Sequence, residues 1–327
     1  MRGVIRAFVF ALDPTDAQAE AFRSHCGGQR FAYNWGLALI RANLDQRAAE
    51  RTYDIPDDQL TPLVSFSAYS LRRAWNEAKD VRAPWWAQNS KEAYSCGLAN
   101  LATALSNWST SKSGRRAGPR IAFPRFKGRR GRLSCRFTTG AFGLGTDRRH
   151  IQLPRIGHVR THESTRKLAR KVEAGTARIR SATLSWQRGR WHVAFSVELP
   201  DPTPPERTGG RVVGVDLGIT SLAVLSTGEV VPNPRHLDAA LTALRRTQRQ
   251  ASRRRGPDRR TRTVPSNRWA KTKARVAALH TRVANARRDG PHKLSTHLVA
   301  FHDTIVIEDL NVAGMVRNRR LAQWPCL

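Results

Sequence analysis

The run Pro200-Asp201-Pro202-Thr203-Pro204-Pro205 limits what this chain can fold into more than any other stretch. Proline fixes its own φ and offers no N–H, so it breaks helix interiors and is kept out of central strands. Four prolines in six residues make a linker, spanning 201–209, that divides the chain into separate bodies. At 327 residues the chain is also longer than one hydrophobic core usually serves.

The part before the linker changes pattern once. Met1-Arg2-Gly3-Val4-Ile5-Arg6-Ala7-Phe8-Val9-Phe10 reads as a first strand, and its apolar run is too short and interrupted for a secretory signal. Asp13-Pro14 carries helix-start chemistry, with Asp as N-cap and Pro at the first helical position. Over 13–109, apolar residues such as Phe31, Trp35, Leu39, Leu71, Trp75, Leu98, Leu101, Leu105 and Trp108 recur at spacings of three and four. That period predicts a helical lobe, broken by Pro56, Pro62 and Pro84, with the aromatics in its core. Past Ser109 the chain turns rich in Gly, Arg and Lys, and then reads as short strands around 136–138, 151–153 and 178–179. A hairpin follows, joining 182–186 to 191–197 across Gln187-Arg188-Gly189-Arg190. Residues 1–12 with 110–200 are therefore expected to form a small β-barrel with basic loops. Rings interleaved with cations suit nucleic acid, with charge for phosphates and rings for bases, so Arg125, Lys127, Arg129 and Arg130 are candidate contacts.

The part after the linker, 210–327, carries the chemistry. Val212-Val213-Gly214-Val215-Asp216 is an apolar strand ending in a carboxylate, followed by Ser221-Leu222-Ala223-Val224-Leu225, a turn at Thr227-Gly228-Glu229, and Val230-Val231. Such a meander opens a ribonuclease-H-like α/β fold. Thr304-Ile305-Val306-Ile307-Glu308-Asp309-Leu310 repeats the theme, and its continuous apolar run predicts a parallel strand buried on both faces. Asp216 and Glu308 would then sit on neighbouring strands and repel unless cations bridge them. Two-metal phosphodiester hydrolysis with Mg²⁺ wants that arrangement. An ATPase of the actin and sugar-kinase type also opens with a strand and Asp-x-Gly, with Ile219-Thr220-Ser221 as its phosphate loop. The second glycine-rich loop it needs is not found. Between the two acids, a helical hairpin is expected over about 235–290, around Arg253-Arg254-Arg255-Gly256-Pro257. Residues 235–288 hold 17 Lys and Arg, too one-sided unless phosphates neutralise them, and Arg253, Arg254 and Arg255 join the candidate contacts.

Charge supports the same direction. A net charge of +32, from 57 basic and 25 acidic residues, calls for a polyanion. A GC-rich genome could explain arginine's excess over lysine but not that of base over acid. No apolar run is long enough to cross a membrane. Cys26, Cys96, Cys135 and Cys326 form no C-x-x-C pair, so no zinc site is expected; they read as isolated buried thiols in a reducing cytoplasm.

Together, Gly214-Val215-Asp216-Leu217-Gly218-Ile219, His292-Lys293-Leu294-Ser295-Thr296, 305–315, Phe123-Pro124-Arg125-Phe126-Lys127-Gly128 and Tyr33-Asn34-Trp35 resemble the TnpB (OrfB) transposases of insertion sequences, relatives of the type V CRISPR effectors. The resemblance covers nearly the whole chain. It implies a helical recognition lobe, a β-barrel wedge domain and a RuvC nuclease domain, acting with guide RNA on double-stranded DNA. By matching position Asp216 is the first metal-binding acid and Glu308 the second, with Asp309 a structural neighbour. The family pattern continues with a zinc ribbon and a third acid, which the residues up to Leu327 do not supply. The expectation is therefore an incomplete RuvC-like domain with weakly held Mg²⁺, impaired cleavage and exposed apolar surface near Ile305 and Ile307. A guided binder that does not cut, or a fragment without function, are the alternatives.

Overall fold

The computed structural model describes residues 3–129, 131–139, 141–201, 210–218, 220–258 and 260–317. Its contacts divide the chain into two compact units, Met1–Pro202 and Thr203–Leu327, with the boundary inside the proline run.

The first unit contains β1 (Val4–Asp13), α1 (Asp16–Thr52), α2 (Ala68–Arg82), α3 (Lys91–Lys112), β2 (Ser134–Phe137), β3 (Gly143–Leu144), β4 (His150–Leu153), β5 (Gly157–Thr161), α4 (Arg166–Glu173), β6 (Arg178–Gln187) and β7 (Arg190–Leu199). All seven strands share one sheet in the order β2-β6-β7-β1-β5-β4-β3. The expected barrel does not close: among the described residues β2 and β3 are the two edges, paired only with β6 and β4. Helices fill the place of an opposing wall. Phe22 and Cys26 of α1 and Ala93 of α3 share one core with Phe10, Phe137, Val193 and Phe195. The β6–β7 hairpin matches expectation, with Arg188 and Gly189 at φ 50° and 79° in a tight turn of the type that suits strand twist.

A second core lies between the helices and contains Leu37, Ile40, Leu71, Trp75, Leu98, Leu101 and Leu105. Trp75 stacks on Tyr94 with ring centres 5.2 Å apart, so these aromatics do pack inward. The helix start differs from expectation. Asp13 stays in β1 opposite Arg160, and Thr15 is the N-cap. A capping box explains this: Thr15 Oγ1 accepts from Gln18 N at 3.3 Å, and Gln18 Oε1 accepts from Thr15 N at 3.1 Å. The cysteines are not isolated either. Burial pushes the Cys135 thiol far up, and Cys26, Cys96 and Glu92 are close enough to push it further. Cys326 lies outside the described residues.

Two buried polar side chains tie elements together, His25 joining α1 to the start of α3 and Glu92 joining α3 to the end of β2. The His25 ring accepts from Ser90 N through Nε2 at 3.0 Å and donates from Nδ1 to the Ala21 carbonyl at 2.8 Å. The Glu92 carboxylate accepts from Thr138 N at 2.9 Å, Thr139 N at 3.2 Å, Thr139 Oγ1 at 2.8 Å and the Thr138 hydroxyl.

The second unit contains β8 (Val212–Asp216), β9 (Ser221–Leu225), β10 (Val230–Pro232), α5 (His236–Ser252), α6 (Asn267–Phe301), β11 (Thr304–Ile307) and α7 (Val312–Arg317). The sheet order is β10-β9-β8-β11, an antiparallel meander with β11 parallel to β8. The helical hairpin of α5 and α6 carries the chain from β10 at one end of this sheet to β11 at the other. Val213, Val215, Ala223, Leu225 and Leu298 form the core. β11 is not buried on both faces as expected. It is an edge among the described residues, with Val306 55% and Ile307 64% exposed. The core built with Leu294 and Leu298 reaches Ile305 and stops short of Ile307. Among the described residues no helix is long and apolar enough to cross a membrane.

Candidate nucleic-acid interface and carboxylate pair

Asp216 is the last residue of β8, and Glu308 follows directly after β11. Ile307 stands opposite Val215, so one further step sets the two acids side by side. They occupy the carboxyl ends of adjacent parallel strands, whose backbones run about 4.8 Å apart, where open α/β sheets hold ligands. Strand alternation explains the exposure: Val213 and Val215 go into the core, while Asp216 is exposed. Gly214 is held by Ser226, which takes its N–H at 3.0 Å and donates its own to the Gly214 carbonyl at 2.9 Å. After Glu308 the chain turns sharply. Leu310 N donates to the Glu308 carbonyl at 3.1 Å, and Asn311 Oδ1 accepts from Gly314 N at 2.9 Å at the start of α7. Glu308 and Asp309 both face solvent. Among the described residues no group of three His, Cys, Asp or Glu could hold a metal ion. Two carboxylates still fit Mg²⁺, which takes hard oxygen ligands and often only one or two from protein, with water and substrate phosphate completing its shell.

The basic stretch expected to touch nucleic acid is an extended strap laid along α1. Ile121 N donates to Ser111 Oγ at 2.9 Å, and Phe123 meets Trp108 edge-on with ring centres 4.9 Å apart. The Arg41 guanidinium lies over both Phe123 and Phe126, 5.6 and 5.2 Å from the ring centres. Asn34 grips the strap at Lys127: its Nδ2 donates to the Lys127 carbonyl at 3.0 Å and its Oδ1 accepts the Lys127 N–H at 2.8 Å. The Lys127 ammonium rests 3.8 Å from the centre of the Tyr33 ring. Arg30 then reaches the Arg129 carbonyl at 3.4 Å. Arg125 and Arg129 face solvent, while Arg130 lies outside the described residues.

The arginines of the hairpin divide by role. Arg253 and Arg255 are exposed, but Arg254 turns inward, donating to the Arg268 carbonyl at 2.8 Å and to the Thr272 hydroxyl. On α5, Thr242, Arg245, Arg246, Arg249, Gln250 and Arg253 line a shallow hollow of about 540 Å³. Sequence reasoning missed this row, and it missed Arg41 and Phe126. One signal was available. Arg30, Asn34 and Arg41 fall at i, i+4 and i+11, one stripe of a helix.

An α/β unit with a solvent-facing acid pair, and arginine-rich surfaces on each unit, define a protein built to handle polyanions. Residues 194–319 match the IS605 OrfB model, described as "Probable transposase", and residues 1–48 match its helix-turn-helix domain. Here that last segment folds as β1 and most of the single helix α1. A Mycobacterium tuberculosis protein named as an RNA-guided DNA endonuclease is 37% identical, over 97% of this chain and 68% of its own length. InsQ of Escherichia coli, named likewise, is 29% identical over 96% of this chain and 68% of its own. This chain belongs to the IS605 OrfB, TnpB-like transposase family. Among solved structures it is similar to a chain of a Cas12f1–sgRNA–target DNA complex, with a TM-score of 0.44 and 9% identity, covering 94% of this chain and 81% of that one.

Proposed function

We propose that this chain binds a guide RNA, uses it to bind double-stranded DNA, and places Asp216 and Glu308 to hold Mg²⁺ for hydrolysis of a DNA phosphodiester. The parallel register of β8 and β11, which brings the two acids together across 92 residues of sequence, carries the reading. The strand order β10-β9-β8-β11 supports an RNase H-like, RuvC-type second unit. The helices and open sheet of the first unit support recognition and wedge roles. Bound Mg²⁺ would supply a water activated for attack and stabilisation of the leaving oxygen. The carboxylates hold the cation, which relieves their mutual repulsion, and the exposed arginines neutralise phosphates.

One observation favours a second reading, guided DNA binding without efficient cutting: no third acid, His or Cys joins the pair among the described residues. One experiment separates the two. The chain is expressed with its flanking transcript, and the co-purifying RNA is sequenced and tested for directing DNA binding and Mg²⁺-dependent cleavage. A discrete RNA conferring sequence-specific binding supports guidance, and cutting lost in Asp216→Asn and Glu308→Gln supports the hydrolytic role. Guided binding with no cutting supports the second reading. Random nucleic acid, released by salt, overturns both.

A further inference from the structure

We propose that residues 123–129 form a subsite for unpaired nucleotides, in which Phe126 stacks on a base, Arg125 and Arg129 hold the neighbouring phosphates, and Asn34 positions the strap. This deepens the nucleic-acid reading above and rests on it. The strap has no regular structure and pairs with no strand, so something else must fix it. Asn34 does so by closing both the N–H and the carbonyl of Lys127, a pairing that mimics one rung of a β-ladder from a side chain. Phe123, edge-on to Trp108, anchors the other end.

With the backbone pinned at these points, Phe126 is half exposed although its neighbour Pro124 is buried. A phenyl ring kept in water costs stability without a return in packing. The Arg41 guanidinium over the ring holds its orientation and places positive charge beside it. Arg125 and Arg129 flank the ring in sequence and both face solvent, Arg125 in the irregular strap and Arg129 at the turn that ends it. An exposed ring between two exposed cations fits a single strand: a base of a duplex has both faces already stacked, whereas an unpaired base offers one. Lys127 takes a different part, since its ammonium sits on Tyr33 and helps seat the strap.

The test uses the full chain with fluorescent 15-mers: an oligouridylate, an oligothymidylate and a DNA duplex, each across a salt series. Phe126→Ala should weaken both single strands about 5- to 150-fold and leave the salt slope unchanged, with Phe126→Tyr restoring binding. Arg125→Gln and Arg129→Gln should each flatten the slope by about 0.7. Asn34→Ala should reproduce the combined loss of slope and affinity, a result that a purely structural side chain would not give in a chain whose melting curve is kept. A preference for the uridylate assigns the subsite to the guide RNA, and one for the thymidylate to a displaced DNA strand. Phe126→Ala binding within twofold of the unsubstituted chain overturns the proposal, as does an equal loss on the duplex. Neither readout needs a guide or cleavage, so failure here is separable from failure of the guided reading.

Discussion

Glu92 is a carboxylate 7% exposed, met by four donors from Thr138 and Thr139. Burial raises its pKa, but those hydroxyls and amides outweigh the burial and hold it below the usual carboxylate range. His25 is also buried. Burial lowers its pKa, the Ala21 carbonyl raises it, and Arg155 lowers it further, leaving it below the usual histidine range. In both cases the unfolded chain takes up the proton first. The stability each contributes is complete above its ordinary pKa and is lost as pH falls towards the folded value. Thermal unfolding from pH 8 downward should therefore weaken in two stages, His25 from about pH 6.5 and Glu92 in the carboxylate range. Glu92→Gln should cost about 1–3 kcal/mol at neutral pH and shrink the second stage, to which the hydrogen-bonded Glu50, Asp147 and Asp258 also contribute. His25→Phe should lower the melting temperature throughout, because Ser90 N–H loses its acceptor, and remove the first. A Glu92→Gln chain as acid-sensitive as the parent would count against this. The exposed acids behave differently: Asp216→Asn should leave stability within about 0.5 kcal/mol, so lost cleavage there would report chemistry rather than unfolding.

Between elements, α1 and α3 approach so closely that a Cβ at Gly97 would run into the Gln29 carbonyl oxygen and lie 3.2 Å from the Ala32 side chain. Backbone cannot give way as a side chain can, so Gly97→Ala should destabilise by about 1–3 kcal/mol, read by denaturant titration. Gly27, which meets nothing within 4 Å, is the control: Gly27→Ala should be neutral or stabilising. At the β11 edge, Ile307→Lys should reduce aggregation on heating without lowering the melting temperature, since that side chain is 64% exposed. These features also show what the sequence made legible. The β6–β7 hairpin, the β8–β10 meander and the helical hairpin were readable because their patterns are local. The pairing of β8 with β11 was readable because both are apolar runs that lead into a carboxylate. The open sheet was not, since β1 pairs with β7 and β5, over 140 residues away, and whether a sheet closes depends on what covers its face. Asn34 and Lys127, 93 residues apart, left no trace in either local pattern. At the helix start, the Asp13-Pro14 signal lost to the reciprocal box at Thr15 and Gln18, which only the folded backbone displays.

For the whole molecule, 57 basic residues against 25 acidic leave a net charge of +32, so many cations can have no acidic partner anywhere in the chain. Such a surface works against folding and in favour of a polyanion, and the two effects should respond to the same substitutions with opposite sign. Arg245, Arg246, Arg249 and Arg253 stand exposed along one hollow of α5. Replacing all four by Gln should raise the melting temperature of the free chain at low salt, by relieving repulsion, and the gain should shrink as salt screens it. The same variant should bind single-stranded oligonucleotide more weakly, with the slope of log affinity against log salt flattened by about 2.8, near 0.7 for each phosphate no longer neutralised. For the parent chain, oligonucleotide at about 100 times its dissociation constant should add about 2.7 kcal/mol of stability, and this protection should fade with salt. If the four arginines were only a solvated face, the variant would gain stability and keep its slope. If they were structural, it would lose stability. A gain in stability with a flattened slope is what a phosphate-binding ridge alone produces.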